Sequence, residues 1–255
     1  MRAAPPLELR GVHTSFGGLP VLDGIDASVP AGSRFGLVGP SGCGKSTLLA
    51  LVAGLLQPDH GTITVGAGSG GTGDPRERLA RCALMPQKDL LLPWRSALDN
   101  ACLALENHGL TRAQARERAR PLFERFGLGG FEATPPDQLS GGMRQRVAFL
   151  RTLLADKPVL LLDEPFGALD TITRGQLQQW LAAALQAEAR TTVLVTHDVE
   201  EALLLCDQVV VLSARPGRIL HQLTVDLPRD GPRRQVVTDP AFVACREELL
   251  EVLER

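Results

Sequence analysis

The stretch GPSGCGKST, residues 39–47, follows a β-type run at residues 33–38 and leads into an apolar helical pattern that extends to about Leu55. It matches the pattern GxxxxGK(S/T) in the setting that the pattern requires, between a predicted strand and a predicted helix. The glycines allow successive backbone amides to point inward at the positive end of the helix dipole, which creates a cradle for phosphate. We expect Lys45 to reach the β- and γ-phosphates of a nucleotide and Ser46 to bind Mg²⁺. The alternative is a glycine turn that only caps a buried helix.

A second apolar run, residues 159–162, ends in two acidic residues, Asp163 and Glu164, which Pro165 follows. Ionised carboxylates at the end of a buried strand are unfavourable unless metal or solvent compensates them, as a site for Mg²⁺ and phosphate would. We therefore assign Asp163 to the metal, directly or through a bound water. Glu164 is expected to be extended because a proline follows it, and to act as general base for an attacking water. A simple acid pair at a helix start is the alternative.

Several other segments indicate the fold class. The continuous apolar runs at residues 192–195 and 208–212, like that at 159–162, have the length of strands buried on both faces, which favours an α/β fold with a mostly parallel sheet. Residues 7–29 predict an antiparallel hairpin with its turn at residues 16–20. The glycine-rich stretch 66–73 is interpreted as a mobile surface loop and not as a domain boundary.

Residues 88–156 differ from the rest of the chain because their pattern is mostly helical. Thr111 begins a capping box for a helix to about Phe126, and a further helix follows Ser140. We therefore predict one domain over residues 1–255, in which residues 1–87 and 157–255 form the core and residues 88–156 form an inserted helical subdomain. A short amphipathic helix, Pro240 to Leu253, ends the chain.

The composition sets the broad class. The 255 residues carry a formal net charge of −2, with 44% hydrophobic residues and five cysteines that form no CxxC pair. We expect a soluble, unsecreted chain in a reducing compartment, because there is neither a long apolar run nor a signal-peptide pattern. A near-neutral balance provides no overall basic field for nucleic acid.

Residues 139–146, LSGGMRQR, form a third motif before the acidic pair. By itself, Ser140 is a good helix N-cap and the glycines that follow make an ordinary turn. The functional interpretation is a second anion site, made of a hydroxyl, two unobstructed amides and a helix N-terminus. With the other two motifs, this segment makes the whole chain resemble the ATP-binding cassette (ABC) ATPases. The resemblance implies a P-loop NTPase of the ABC ATPase type, with an N-terminal antiparallel β subdomain and ATP and Mg²⁺ as cofactors.

The resemblance also implies roles for particular residues. Residues 139–146 correspond to the signature segment of that family. The signature segment of one chain would complete the ATP site of a second copy packed head to tail. Gln87 would sense Mg²⁺ and the γ-phosphate, His197 would bind the γ-phosphate, Asp170 would cross the dimer interface, and Phe16 would stack on adenine. The implied ATP-contacting residues are Phe16, Gly39, Pro40, Ser41, Gly42, Cys43, Gly44, Lys45, Ser46, Thr47, Ser140, Gly141, Gly142 and Asp170. We assign catalysis to Glu164, His197, Gln87 and Lys45, and the metal to Ser46, Gln87 and Asp163. Phe16 as hairpin packing and His197 as a structural histidine are the alternatives.

Two segments indicate which subfamily of the ABC ATPases the chain resembles. The run MPQKDLLLPW, residues 85–94, and the run SARPGRI, residues 213–219, are similar to importers of nitrate, sulfonates, taurine or the pyrimidine precursor of thiamine. The first run is most similar to the thiamine-precursor branch. It also carries a Leu/Trp cluster that suits a membrane subunit's coupling helix, with core packing as the alternative.

The resulting prediction is an ATP-hydrolysing importer subunit on the cytoplasmic face of the bacterial inner membrane. Its partners would be a second copy, permease subunits and, indirectly, a substrate-binding protein, with no nucleic acid. A soluble ABC ATPase acting on nucleic acid or the ribosome is the alternative; a phosphate-loop kinase or GTPase would leave the signature and His197 unexplained. We also expect the Cys43 thiol, at a helix N-terminus beside Lys45, to react readily.

Overall fold

A six-stranded sheet forms the centre of the fold in the computed structural model, which describes residues 4–66, 71–167, 171–187, 190–227, 231 and 233–254. The strands are β1 (Leu7–Phe16), β2 (Leu19–Val29), β3 (Arg34–Val38), β4 (His60–Val65), β5 (Cys82–Met85), β6 (Val159–Asp163), β7 (Thr191–Thr196), β8 (Gln208–Leu212) and β9 (Ile219–Thr224). The central sheet has the order β5-β6-β7-β3-β8-β9. Every neighbouring pair is parallel except β8 and the edge strand β9. The predicted mostly parallel α/β sheet is confirmed.

A second sheet of three antiparallel strands has the order β2-β1-β4. Its hairpin turns where the sequence predicts, with Phe16 paired to Leu19. Strand β4 ends at the glycine-rich stretch, where Val65 and Thr72 exchange backbone hydrogen bonds of 3.0 and 3.1 Å. The rest of that stretch, residues 67–70, lies outside the described residues.

Helices cover both faces of the central sheet. They are α1 (Lys45–Val52), α2 (Pro75–Arg81), α3 (Ala97–Asn107), α4 (Arg112–Arg125), α5 (Gly141–Leu154), α6 (Thr171–Ala187), α7 (Val199–Leu205), α8 (Arg233–Val237) and α9 (Pro240–Leu253), with a short 3-10 helix at Pro136–Gln138. The capping box before α4 is confirmed, because the amide of Thr111 donates to Oε1 of Gln114 at 3.0 Å and the amide of Gln114 donates back to Oγ1 of Thr111 at 3.4 Å. Among these helices, none is long and apolar enough to cross a bilayer.

Strand β6 shows why continuous apolar runs form the middle of the sheet. Its residues alternate between two hydrophobic clusters: Leu160 and Leu162 join the one that contains α3, α5 and α7. Val159 and Leu161 join the one that contains α1 and the antiparallel sheet. Both faces of the strand are fully buried, so a polar residue on either side would be unfavourable until the strand ends at Asp163.

Residues 86–158, all of which the structure describes, contain helices and no strand. The buried carboxylate of Asp99 in α3 ties two helices together, because it accepts hydrogen bonds from both Arg112 and Arg116 of α4. The hydrogen bond from Arg116 and then that from Arg112 hold the pKa of Asp99 well below its usual range. The exact limits of a core and an inserted subdomain stay a prediction.

Candidate nucleotide-binding site

The site lies at one edge of the central sheet, where neighbouring parallel strands end. Strand β3 leads into the glycine loop 39–44, β6 ends at Asp163, and β7 is followed by His197. Because β6, β7 and β3 are adjacent and parallel, their carboxyl ends meet at the same edge. Ligands of open α/β sheets bind at this edge.

The glycine loop wraps tightly around the start of α1. Gly42 and Gly44 have φ of +77° and +106°, a backbone conformation that favours glycine. A Cβ atom on Gly44 would lie 2.8 Å from Leu22 Cδ2, so any side chain there would force its neighbours to shift. The loop therefore requires glycine for its path and leaves the N-terminus of α1 facing the open side.

Lys45 is 5% exposed and folds back over the loop. Its Nζ donates hydrogen bonds to the backbone oxygens of Gly39 at 2.8 Å and Pro40 at 2.9 Å. Among the described residues, carbonyl oxygens and no carboxylate hold this ammonium. A phosphate oxygen brings negative charge to such a group and would form a stronger, charge-assisted bond.

Ser46 and Asp163 form an oxygen pair suited to Mg²⁺. The Ser46 hydroxyl donates to Oδ1 of Asp163 at 3.1 Å, which joins α1 to the end of β6. Burial raises the pKa of the Asp163 carboxyl, an effect that the Ser46 hydrogen bond opposes. Mg²⁺ takes oxygen ligands, commonly one or two from the protein and the rest from water and phosphate. A buried carboxylate next to a hydroxyl fits that requirement, and a bound cation would stabilise its ionised form.

Glu164 has an unexpected backbone conformation. Its φ is +44°, in the left-handed region, whereas the following proline predicts an extended residue; the prediction is wrong. The amide of Glu164 donates to Val195 O at 2.8 Å, and its carbonyl accepts from the Gly167 amide at 3.1 Å. These two bonds hold the strained residue in place. Such strain concentrates at functional sites, where the surrounding structure determines it.

The Glu164 carboxylate lies between two other predicted catalytic residues. Gln87 Nε2 donates to its Oε2 at 2.9 Å, and His197 Nδ1 lies 3.4 Å from the same oxygen. The structure therefore brings together three side chains that follow β5, β6 and β7. Their arrangement can orient a carboxylate that accepts a proton from water.

A cavity of about 380 Å³ extends from Gln87, Glu164 and the glycine loop to the antiparallel hairpin. Its lining residues are Phe16, Val21, Ser41, Gly42, Gly44, Lys45, Ser46, Thr47, Gln87, Glu164 and Arg215. Phe16 is 49% exposed at the rim, which leaves its ring available to stack on a base. Val21 and Arg215 were not predicted as site residues. The run 213–219 drew attention in the sequence only through its resemblance to importers, since nothing local places Arg215 near the glycine loop.

The signature residues lie elsewhere. Ser140 is exposed and caps α5, with its Oγ accepting from the Met143 amide at 3.2 Å. Residues 140–142 are fully described and do not line the cavity of their own chain. Arg144 steadies the segment by donating to Leu139 O at 2.7 Å and to Asp89 Oδ2 at 3.2 Å. Asp170 lies outside the described residues.

Cys43 differs from expectation. Its side chain is 1% exposed and belongs to the hydrophobic cluster on the α1 side of the sheet. Its Sγ would lie 3.1 Å from a Cβ atom on Gly39, so the thiol fills the space beneath the loop. The structure therefore does not present the accessible thiol that this prediction assumes, and the reactivity of Cys43 stays a prediction.

Comparisons with known proteins agree with this geometry. A family model described as ABC transporter matches residues 22–167. The chain is 40% identical over 248 residues to the taurine import ATP-binding protein TauB of Escherichia coli and to that of Shigella sonnei, which covers 96% of this chain and 95% of each relative.

Solved structures show the same fold. The dimeric structure of MJ0796, a bacterial ABC transporter cassette, matches with a TM-score of 0.74 and 28% identity, covering 86% of this chain and 98% of that one. A post-hydrolysis state of MJ0796 bound to ADP and Pi matches with a TM-score of 0.70 and 27% identity, over 84% of this chain and 99% of that one. The chain therefore belongs to the ABC transporter family, as one of its ATP-binding and ATP-hydrolysing subunits.

Proposed function

We propose that this chain drives a bacterial importer of a small sulfonate such as taurine, and that two copies enclose ATP between them. The observation that supports the catalytic part is the position of Glu164, which lines the cavity and lies between Gln87 and His197. The relatives at 40% identity are named for taurine import, which favours a sulfonate over the thiamine precursor. Growth on taurine as sole sulfur source, with and without the gene, tests the cargo.

Each residue of the cavity has its own role in ATP binding or hydrolysis. Lys45 exchanges its loop carbonyls for phosphate oxygens, and the amides of the glycine loop bind the same group. Glu164 accepts a proton from the attacking water while the water oxygen bonds to the γ-phosphorus. The bond between the γ-phosphorus and the β–γ bridging oxygen breaks, and ADP leaves. Gln87 and His197 hold the Glu164 carboxylate in orientation, and His197 contacts the phosphoryl group. Ser46 and Asp163, together with Gln87, would hold Mg²⁺, which would supply charge neutralisation on the phosphate oxygens.

The signature segment acts in the partner's site. Ser140 is exposed at the start of α5, and its neighbours Gly141 and Gly142 add amides without side chains. A helix N-terminus of this kind binds anions, yet it does not face the cavity of its own chain. A second copy packed head to tail would supply the missing contacts to the γ-phosphate.

A surface beside Gln87 suits a permease. Trp94 is 77% exposed and Leu90 is also exposed, although both are large apolar residues. Asn100 fixes the loop beneath them, because its Nδ2 donates to Leu92 O and Arg95 O and its Oδ1 accepts from the Leu92 amide. A rigid, exposed apolar surface is typical of a protein interface. The chain would thus sit on the cytoplasmic face of the inner membrane, and a substrate-binding protein would act through the permease.

Mixing two inactive variants tests the paired site. Lys45→Ala removes the phosphate-loop charge and keeps the signature; Ser140→Asp keeps a good N-cap and places a negative charge against the γ-phosphate. Each variant alone should lose ATP hydrolysis. Together they form dimers in which the phosphate loop of one variant meets the intact signature of the other, so about a quarter of wild-type activity should return if the two variants associate at random and each site acts independently. No recovery on mixing, with both variants folded, would place the signature in its own chain's site.

A further inference from the structure

The loop after β8, residues 213–218, packs against both sides of the nucleotide cavity. Gly217 donates its amide to Val21 O at 2.8 Å, and its carbonyl accepts from the Asp23 amide at 3.0 Å. A Cβ atom on Gly217 would lie 2.4 Å from Cys43 O, so this glycine touches the backbone of the glycine loop. The loop therefore joins β2 to the phosphate cradle and has little freedom to move between them.

The loop is also fixed from within. Ser213 Oγ donates to Pro216 O and accepts from the Arg218 amide, both at 2.9 Å. The amide of Ser213 donates to Arg218 O at the same distance. These hydrogen bonds fix the backbone between Ser213 and Arg218. The backbone of Arg215 lies within this stretch, so the starting point of its side chain is fixed as well.

Arg215 and Arg218 lie in this loop with different surroundings. Arg218 pairs with Asp23 on the outer side of β2. Arg215 lines the cavity, and its Nε donates to Pro20 O at 3.0 Å. In the described part of the chain, no carboxylate forms an ion pair with Arg215. Its terminal nitrogens are therefore available to a ligand.

The anchor of Arg215 places it at the base end of the cavity. Pro20 pairs with Ser15 in the hairpin, next to the pair of Phe16 and Leu19. The phosphate end already has Lys45, the loop amides and the α1 N-terminus. A guanidinium stacks on aromatic rings and donates hydrogen bonds to ring nitrogens, both of which a purine offers.

We propose that Arg215 contacts the adenine base of the nucleotide and contributes to the preference for a purine. This inference rests on the proposed nucleotide site, with Phe16 as the other base contact. Arg215 acts here as a specificity residue for ATP, whereas Lys45 and the glycine loop bind the phosphates common to all nucleotides. Its contribution should thus depend on the base and not on the number of phosphates.

Titration calorimetry of the full chain with ATP, ADP and CTP tests this assignment. Arg215→Gln should weaken ATP and ADP by the same factor, about 5–10-fold, as expected for loss of one cation–π contact, and should weaken CTP less. Arg218→Gln, which makes the same change of charge in the same loop, should alter ATP affinity less than about twofold. The unfolding temperature of each variant shows whether the loop is intact.

Three results would overturn the assignment. A larger loss for ATP than for ADP would place Arg215 at the phosphates, and an unchanged ATP affinity would leave it without a ligand contact. Equal losses in Arg215→Gln and Arg218→Gln would mean that the loop's structure, and not the contact, sustains binding. Lys45→Ala tests the proposed phosphate site independently of Arg215. If wild type and Lys45→Ala bind ATP equally, the proposed phosphate site is wrong, regardless of the result for Arg215→Gln.

Discussion

Gln87 Nε2 lies 2.9 Å from Oε2 of Glu164, and the strand order of the central sheet explains how two residues so far apart in sequence meet. Gln87 follows β5, Glu164 follows β6, and these strands are parallel neighbours. On the other side of β6, β7 is followed by His197, whose Nδ1 lies 3.4 Å from the same oxygen. The proposed general base is thus oriented by the residues that follow the strands on its two sides.

Glu164→Gln should separate ATP binding from hydrolysis. The amide keeps the size of the carboxylate but cannot accept a proton, so we expect turnover to fall by about 10²–10⁴-fold. ATP should still bind, and a dimer should persist at saturating Mg²⁺ and ATP. Phosphate release and size-exclusion chromatography measure the two effects.

A matched variant for this experiment is Glu251→Gln, which changes an exposed glutamate of α9. It should hydrolyse ATP at the wild-type rate. Undiminished turnover of Glu164→Gln, or a monomer at saturating ATP, would contradict the assigned base and the dimeric scheme.

A buried carboxyl beneath the site makes stability depend on pH. Glu201 of α7 is 3% exposed, and burial raises the pKa of this carboxyl to about 8, with Asp198 and Glu164 adding to the effect and Thr196 and Arg174 opposing it. Above about pH 4.5 the unfolded chain has released the Glu201 proton, whereas the folded chain keeps it up to about pH 8. The free energy of unfolding should fall as pH rises from about 4.5 to 8, because the folded state binds more protons in that range.

Glu201→Gln should remove this dependence. The amide has nearly the same shape and no charge to bury. At pH 7.5 we therefore expect the free energy of unfolding of the variant to be about 1–3 kcal/mol higher than that of wild type. At pH 5, where the folded wild-type chain keeps Glu201 protonated, the two proteins should have similar free energies of unfolding. Denaturant titrations at the two pH values provide the measurement. Glu251→Gln, at an exposed position of α9, serves as control. An equal pH slope in wild type and Glu201→Gln would mean that another group causes it.

The sequence predicted the parts of the molecule that local patterns determine. The glycine loop, the strands buried on both faces and the capping box at Thr111 each carry their own signal, and all are confirmed. Strand β5 was not predicted, since four residues from Cys82 carry no periodicity and become a strand only through pairing with β6. Helix α2 has only seven residues and was likewise not predicted from the sequence.

The parts of the site that the sequence missed depend on distant contacts. The φ of Glu164 is set by hydrogen bonds to Val195 and Gly167, which override the preference that a following proline imposes. Cys43 is covered through the packing of its loop against Leu212, and Arg215 reaches the cavity from the loop that follows β8. The contacts of the glycine loop with Leu212 and Gly217 join segments more than a hundred residues apart, and the bond from Glu164 to Val195 joins two neighbouring strands.

Trp94→Ala should impair coupling to a permease while leaving the ATP site intact. The indole is 77% exposed, so its removal leaves no cavity in the core and should change the free energy of unfolding by less than about 0.5 kcal/mol. A tryptophan at the centre of an interface can contribute 2 kcal/mol or more, so binding of the permease should weaken by about 30-fold or more. Co-purification with the permease and transport into vesicles measure that loss, while ATP affinity of the isolated subunit should stay within about twofold. Leu220→Ala, which removes another exposed apolar side chain on β9, should leave co-purification unchanged. If Trp94→Ala co-purified as wild type does, the surface around Leu90 and Trp94 would not be the docking site.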